Sequence, residues 1–363
     1  MRPESLTFLR SLLDTPTPSG FEHEGQRLWL SYVSAFASST WTDSYGNAMA
    51  AAGPADAPLT LGIFGHCDEI GLSVNHVDAN GFIYCRAIGG IDPAAIVGKR
   101  VQFRSSVAGV GTVHGMVGAT AIHLQDKSGE AKVRKLHELF IDIGAKDQAS
   151  ASARLNIGDA GVFTDGSMLI GDDYLVARAI DNRGGIFVAA EALRLVAAAA
   201  SSLHVRVVAV STVQEEVGLH GAAMVAHSLH PSLAFVTDVG HATDSPGISH
   251  AQHGSFKLGG GPKIAIGPPI HPGVSSMLAT AAAAKGIPLQ RASTAGRSGT
   301  DTDAIFKSVG GIPCGLLSIP LRYMHTTVEM ASLRDLSQVA EVFAAAALAM
   351  RGDEVFDLVR RSA

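Results

Sequence analysis

The residues best suited to chemistry stand where apolar runs stop. They are His66 and Asp68 in "IFGHCDEIG", Asp181 in "ARAIDNRGG", Glu215 and Glu216 in "TVQEEVG", Asp238 in "FVTDVGHATD" and His325 in "IPLRYMHTTVEM". Any one of them alone reads as a cap or turn residue, because Asp and Asn commonly begin helices and turns. Taken together they form a set of nitrogen and oxygen donors that suits Zn²⁺ or Co²⁺, with Mn²⁺ also compatible. Two histidines with three or four carboxylates exceed what a single catalytic metal requires. They match two divalent ions about 3.5–4 Å apart that share a bridging carboxylate. The cysteines Cys67, Cys85 and Cys314 are too dispersed to form a thiolate site.

Spacing adds detail. Period-two alternation turns His66 and Asp68 to one side of a strand and Cys67 to the other. Asp68 is then placed to hold the second ring nitrogen of a ligand histidine. Glu215 and Glu216 are adjacent like charges, costly to desolvate as a pair. If they stand at a strand end, their side chains diverge and need not share one task.

The elements around these residues have two textures. From about residue 170 to 350, apolar strands such as "LHVRVVAVSTV" and "LAFVTDVG" alternate with Ala/Leu-rich helices such as "GIFVAAEALRLVAAAA". Helical patterns also flank "LTLGIFGHCDEIG" near the N-terminus. This pattern predicts an α/β fold with a mainly parallel sheet flanked by helices, and ligands at the carboxyl ends of its strands. Residues 73–165 differ: "GFIYCRAIG", "KRVQFRS" and "AGVGTVHGMVG" are short alternating strands punctuated by glycine. They predict a small β-rich domain inserted into a discontinuous one made of residues 1–72 and 166–363. The segment "AAAGPADAP" near residue 50 reads as a low-complexity linker.

Composition narrows the function classes. The 363-residue chain is 47% hydrophobic and 17% charged, with a formal net charge of −5. That charge and the lack of basic blocks give no general attraction to nucleic acid or anionic membranes. No apolar run reaches spanning length, and the N-terminus lacks the uninterrupted apolar stretch of a signal peptide. Three cysteines without framework spacing fit a reducing compartment. The expectation is a cytoplasmic protein.

With these residues in place, the chain resembles the tetrahedral (TET) aminopeptidases, the glutamyl-aminopeptidase and cellulase-M-like dinuclear metallopeptidases. The resemblance runs in order through "GHCDEIGL", "AIGGIDPAAIVGKRVQF", "LFIDIGA", "NIGDAGVF", "ARAIDNRGG", "QEEVGLHGA", "VTDVGHATDSPG", "LGGGPKI", "SGTDTDAI" and "IPLRYMHTTVE". It implies one metal held by His66 and Asp238, a second by Glu216 and His325, and Asp181 bridging both. Asp68 would support His66, and Glu215 would be the general base. It also implies a cis bond after Asp181, a zinc-peptidase-like fold with a PDZ-like inserted barrel, dimers formed through that insert, and a homo-oligomer reaching a tetrahedral dodecamer. The implied substrates are short peptides with a free N-terminus. Two positions depart from the family pattern, Gly185 and Gly240, and neither is a ligand.

Other readings remain open at this level. A dinuclear deacylase or N-acyl-amino-acid hydrolase would have nearly the same centre, and a self-assembling shell protein could keep metal for stability alone. Thr300, Asp301 and Asp303 of "SGTDTDAI" lie where relatives shape the substrate pocket, although Asp301 also suits a helix cap. Arg291 and Arg297 would favour acidic side chains if they faced that pocket. His241, His250 and His253 read as non-ligands. "GGGP" at 259–262 lacks the GK[ST] of a phosphate loop and reads as close backbone packing.

Overall fold

A computed structural model describes residues 1–124 and 133–359. The strands Thr60–His66, Arg206–Thr212 and Leu233–His241 are almost wholly buried. Their side chains alternate between two cores. Ile63, Val207, Ala209 and Phe235 join Trp29, Phe187, Leu336 and Phe343 on one face. Phe64, Val208, Val210 and Val236 join Val225, Ala226 and Ile305 on the other. A strand covered on both faces needs an uninterrupted apolar run, which is what these segments supply.

Among the described residues the main sheet has eleven strands. Its centre is parallel: Thr60–His66 lies between Arg206–Thr212 and Leu233–His241, and Leu233–His241 pairs in turn with Cys314–Arg322. Antiparallel strands extend it both ways, through Ala48–Ala52 and Ser39–Thr42 at one end and Glu329–Ser332, Tyr174–Ala177 and Met168–Ile170 at the other. The helices Pro3–Asp14, His23–Val33, Ile180–Ala197 and Leu333–Ala349 cover the first face, and His220–Leu229 covers the second.

The segment read as a linker begins inside this sheet. Ala50, Ala51 and Ala52 belong to the buried strand Ala48–Ala52. Alanine favours helix in isolation, but here its small side chain fits between strand Arg206–Thr212 and the helices, so tertiary packing decides.

A second sheet closes into a six-stranded antiparallel barrel: Gly71–Val77, Ile83–Ile88, Phe140–Asp142, Thr112–Gly118, Arg100–Arg104 and Ala160–Phe163. It has its own core, including Leu72, Ile83, Val101, Phe103 and Ile141. The chain enters it from His66 and leaves it toward Asp181. At the neck, buried Glu69 accepts hydrogen bonds from Arg178 and Arg183 and from the Thr17 N–H at 3.0 Å. Glu69 lies just before the first barrel strand, while Arg178 and Arg183 follow the host strand Tyr174–Ala177, so one charge cluster ties the entry to the barrel to the host domain.

Candidate metal centre

The parallel register sets the floor of the site. Thr212 is level with His66, so both strands stop together. His66 ends its strand, and its Nε2 lies 3.3 Å from Asp181 Oδ1, 3.6 Å from Glu215 Oε2 and 3.8 Å from Asp238 Oδ1. On the other side of Asp181, His325 Nε2 is 3.4 Å from Asp181 Oδ2 and 3.4 Å from Glu216 Oε2. Two groups of three donors result, His66–Asp181–Asp238 and Asp181–Glu216–His325, with the donor atoms of each within 4.8 Å of one another. Asp181 contributes one oxygen to each.

Not all of these residues sit at strand ends. Asp181 opens the helix Ile180–Ala197 with non-helical φ and ψ, and its bond to Asn182 is cis. Asp238 lies within the strand Leu233–His241, and His325 follows Cys314–Arg322 in a turn at φ 61°. Glu215 and Glu216 lie beyond the strand, which stops at Thr212. Gln214 takes φ 57°, and Gly218 N–H closes a turn on the Glu215 carbonyl. Their side chains therefore part because the backbone turns, not because of strand pleating.

Asp68 holds that turn. Its Oδ1 accepts the Glu215 N–H at 3.0 Å, and its Oδ2 accepts the Glu216 N–H at 3.1 Å and the Ser19 hydroxyl at 2.6 Å. The second nitrogen of His66, Nδ1, lies 3.1 Å from the Asp68 backbone carbonyl and 3.4 Å from its carboxylate. Asp68 thus touches His66 chiefly through its main chain and spends its carboxylate on the two glutamates. Behind His325, a Cβ on Gly90 would meet Nδ1 at 3.0 Å, so the loop after barrel strand Ile83–Ile88 backs the second group.

The electrostatics point to cations. Burial and the neighbouring Asp181 push Glu216 well above the ordinary carboxylate range, and burial with the charges of Asp181 and Glu215 does the same to Asp238. Burial also raises Glu215, to about 8, against the opposing pull of His66 and with help from Asp301. Burial alone would lower His66, but Glu215 and Asp181 outweigh it and raise it well above the usual imidazole value. Four carboxylates facing two imidazoles in a buried pocket are undercompensated, a charge that divalent cations on nitrogen and oxygen donors would balance. The donor set fits two such ions.

These residues line one end of a cavity of about 990 Å³. Thr300 lines it too, but Asp301 and Asp303 do not. Asp301 is buried behind the site, accepting the Thr212 hydroxyl at 2.6 Å and making no side-chain cap. Asp303 accepts from Ser298 N–H and Oγ at 2.8 Å and Gly299 N–H at 3.0 Å, fixing the loop rather than facing the cavity. The same cavity is also lined by His241, His250, His253, Arg291 and Arg297, together with Lys263, which sequence reasoning missed. Lys263 is 9% exposed and makes no ion pair among the described residues. Its Nζ lies 4.1 Å from the Phe256 ring centroid and donates to the His241 carbonyl at 3.0 Å.

The two departures from the family pattern have steric causes. A Cβ on Gly240 would sit 3.0 Å from Lys263 Nζ, and one on Gly185 would sit 2.3 Å from Asn182 Oδ1. Each glycine makes room for a polar neighbour.

The sequence signature of the M42 glutamyl aminopeptidases matches residues 46–342. The chain belongs to the M42 family. A lysyl aminopeptidase of Pyrococcus furiosus is 28% identical over 92% of this chain and 94% of its own. A TET aminopeptidase from the archaeon Thaumarchaeota archaeon SCGC AB-539-E09 superposes with a TM-score of 0.89, at 29% identity and 96% coverage of both chains. The TET1 peptidase of Pyrococcus horikoshii, which assembles into a tetrahedron or a large octahedral shell, gives 0.82 at 28% identity over 95% of this chain and all of that one. This M42 protein is accordingly an aminopeptidase, a hydrolase of peptide bonds, and no helix among its described residues is long and apolar enough to cross a membrane.

Proposed function

We propose that this peptidase is dinuclear, with Glu215 as general base. One divalent ion is held by His66 and Asp238, the other by Glu216 and His325, and Asp181 serves both. The observation that carries this reading is the pair of three-donor groups sharing Asp181, with Glu215 beside them and outside both. Zn²⁺ and Co²⁺ suit the donors best, and Mn²⁺ is also compatible. Two such ions supply Lewis acidity and lower the pKa of water.

The chain's own residues do the rest. Glu215 takes a proton from the attacking water and returns it to the departing amine. Asp68 keeps Glu215 and Glu216 on separate headings by holding both main-chain N–H groups. Lys263, Arg291 and Arg297 in the cavity lining favour an N-terminal residue with an acidic side chain. Asp238 and Gly240 share a strand face, two residues and about 7 Å apart, and Lys263 Nζ stands over Gly240. A side chain anchored at the Asp238 end reaches that ammonium, so the preference falls with the "glutamyl" relatives and not the lysyl one.

The test is a panel of Glu-, Asp-, Lys-, Leu- and N-acetylated aminoacyl-anilides, run on metal-free protein and on protein reconstituted with each ion. Activity should vanish on chelation, return with Zn²⁺ or Co²⁺, favour Glu and Asp, and ignore the blocked set. Turnover of acetylated substrates would establish the deacylase instead. We further propose a cytoplasmic homo-oligomer, paired through the barrel and reaching a dodecamer. The three free, buried cysteines suit a reducing compartment, and the exposed apolar edge strand Met168–Ile170 of the main sheet offers a further surface for assembly.

A further inference from the structure

We propose that Glu329 is a positioning residue that sets the second metal group by holding the main chain of two of its ligands at once. The inference rests on the dinuclear reading above. Glu329 opens the strand Glu329–Ser332 and lies opposite Ala177, four residues before Asp181. It is 2% exposed. Its Oε2 accepts the Asp181 N–H at 3.0 Å, and its Oε1 accepts the His325 N–H at 2.8 Å.

Both N–H groups belong to irregular backbone. Asp181 has non-helical angles at the head of its helix, and His325 has positive φ, so neither has a helix or ladder partner to fix it. The two residues come from segments 144 positions apart, and one carboxylate spans them. Glu329 makes no ion pair with Lys or Arg among the described residues, so these N–H donors are its compensation for burial.

The task needs two acceptors at that reach. Glutamine presents one acceptor and one NH₂, which would point a donor at a donor. Aspartate keeps both oxygens but is one methylene short of spanning both. Either change releases Asp181 or His325 without removing a metal-binding atom. Partners that orient metal ligands typically change affinity by about 10–100-fold when altered.

The experiment titrates metal-free protein with Co²⁺, following d–d absorbance and the binding isotherm, in the native chain, H325A, E329Q and E329D. H325A identifies the equivalent that belongs to the second group. E329Q should weaken that same equivalent about 10–100-fold and change its absorbance, while the other equivalent weakens less and the metal-free melting midpoint stays at the native value. Native binding of both equivalents by E329Q would overturn the proposal. So would equal weakening of both with a lowered metal-free midpoint, the mark of a merely structural role. If E329Q does not fold, E329D carries the same expectation, and failure of both to fold would assign Glu329 to the fold rather than the site. A native chain that binds no Co²⁺ would instead refute the dinuclear reading.

Discussion

Replacing Lys263 by methionine should erase the acidic preference and leave other substrates alone. Lys263 is the buried cation of the cavity wall. The flanking Arg291 and Arg297 are exposed, and Arg297 already contacts Asp303 at 3.4 Å. Two unit charges at about 4 Å attract by about 4 kcal/mol at an effective dielectric of 20. Part of that is cancelled by stripping water from the substrate carboxylate. A hydrogen bond to a charged group nets about 1.5–3 kcal/mol, which corresponds to roughly 10–150-fold. The retained arginines put the expectation at the lower end, about 10–50-fold. The assay is the ratio of kcat/KM for a Glu-anilide to that for an Ala-anilide at equal metal loading. Methionine matches the lysine stem in shape and leaves no unpaired charge, so the thermal midpoint should hold or rise. The native ratio should also depend on pH. Burial lowers the Lys263 ammonium to about 8, so it is charged below that pH and neutral above it, and the ratio should fall as pH rises through about 8. K263M should show a low, flat ratio. An unchanged ratio in K263M, or the same fall above pH 8, would refute the assignment.

Three further outcomes follow from the geometry. E215Q should retain both Co²⁺ equivalents and lose turnover by several orders of magnitude, whereas E216Q should chiefly weaken metal binding. Equal metal loss in both would break the division of labour between them. D68N offers the Glu215 turn a donor in place of one acceptor, and kcat should fall about 10–100-fold with an unchanged circular dichroism spectrum. G240V places a side chain 3.0 Å from Lys263 Nζ and 3.1 Å from Ser318 Cβ. It should displace the ammonium and reproduce the K263M selectivity profile, read in the same paired assay.

Much of the architecture was legible because burial on both faces writes itself as unbroken apolar runs, as in "VRVVAVST", and because glycine punctuation marked the barrel strands. The alanine-rich strand at Ala48–Ala52 was not, since nothing in its composition favours extended structure over helix. The site shows the same divide. Ligand-type residues such as His66, Asp181 and His325 stand out by chemical type near the ends of apolar runs. Glu329 does not, because its work is accepting two N–H groups whose positions depend on distant segments. The acid in "TTVEM" was the available signal, without any hint of what it would meet. Lys263 was hidden for a related reason: a lone lysine beside "GGGP" becomes informative only when the fold buries it without a carboxylate. The parting of Glu215 and Glu216 was anticipated on the wrong ground, because the left-handed Gln214 that ends the strand has no unambiguous sequence mark.

The cluster of Glu69, Arg178 and Arg183 has a consequence for how the two units coexist. His66 lies three residues before Glu69 on the way into the barrel, and Asp181 lies three after Arg178 in the host, so the cluster stands next in sequence to two ligands of the centre. Any tilt of the barrel, whether from thermal motion or from packing against other subunits, would pull on the entering segment and so on His66. The buried ion pairs knot that entering segment to Arg178 and Arg183 of the host, with Thr17 as a further anchor. Leverage from above then ends at the knot. The barrel is free to change its outer surface, and with it the company the subunit keeps, without detuning the centre beneath.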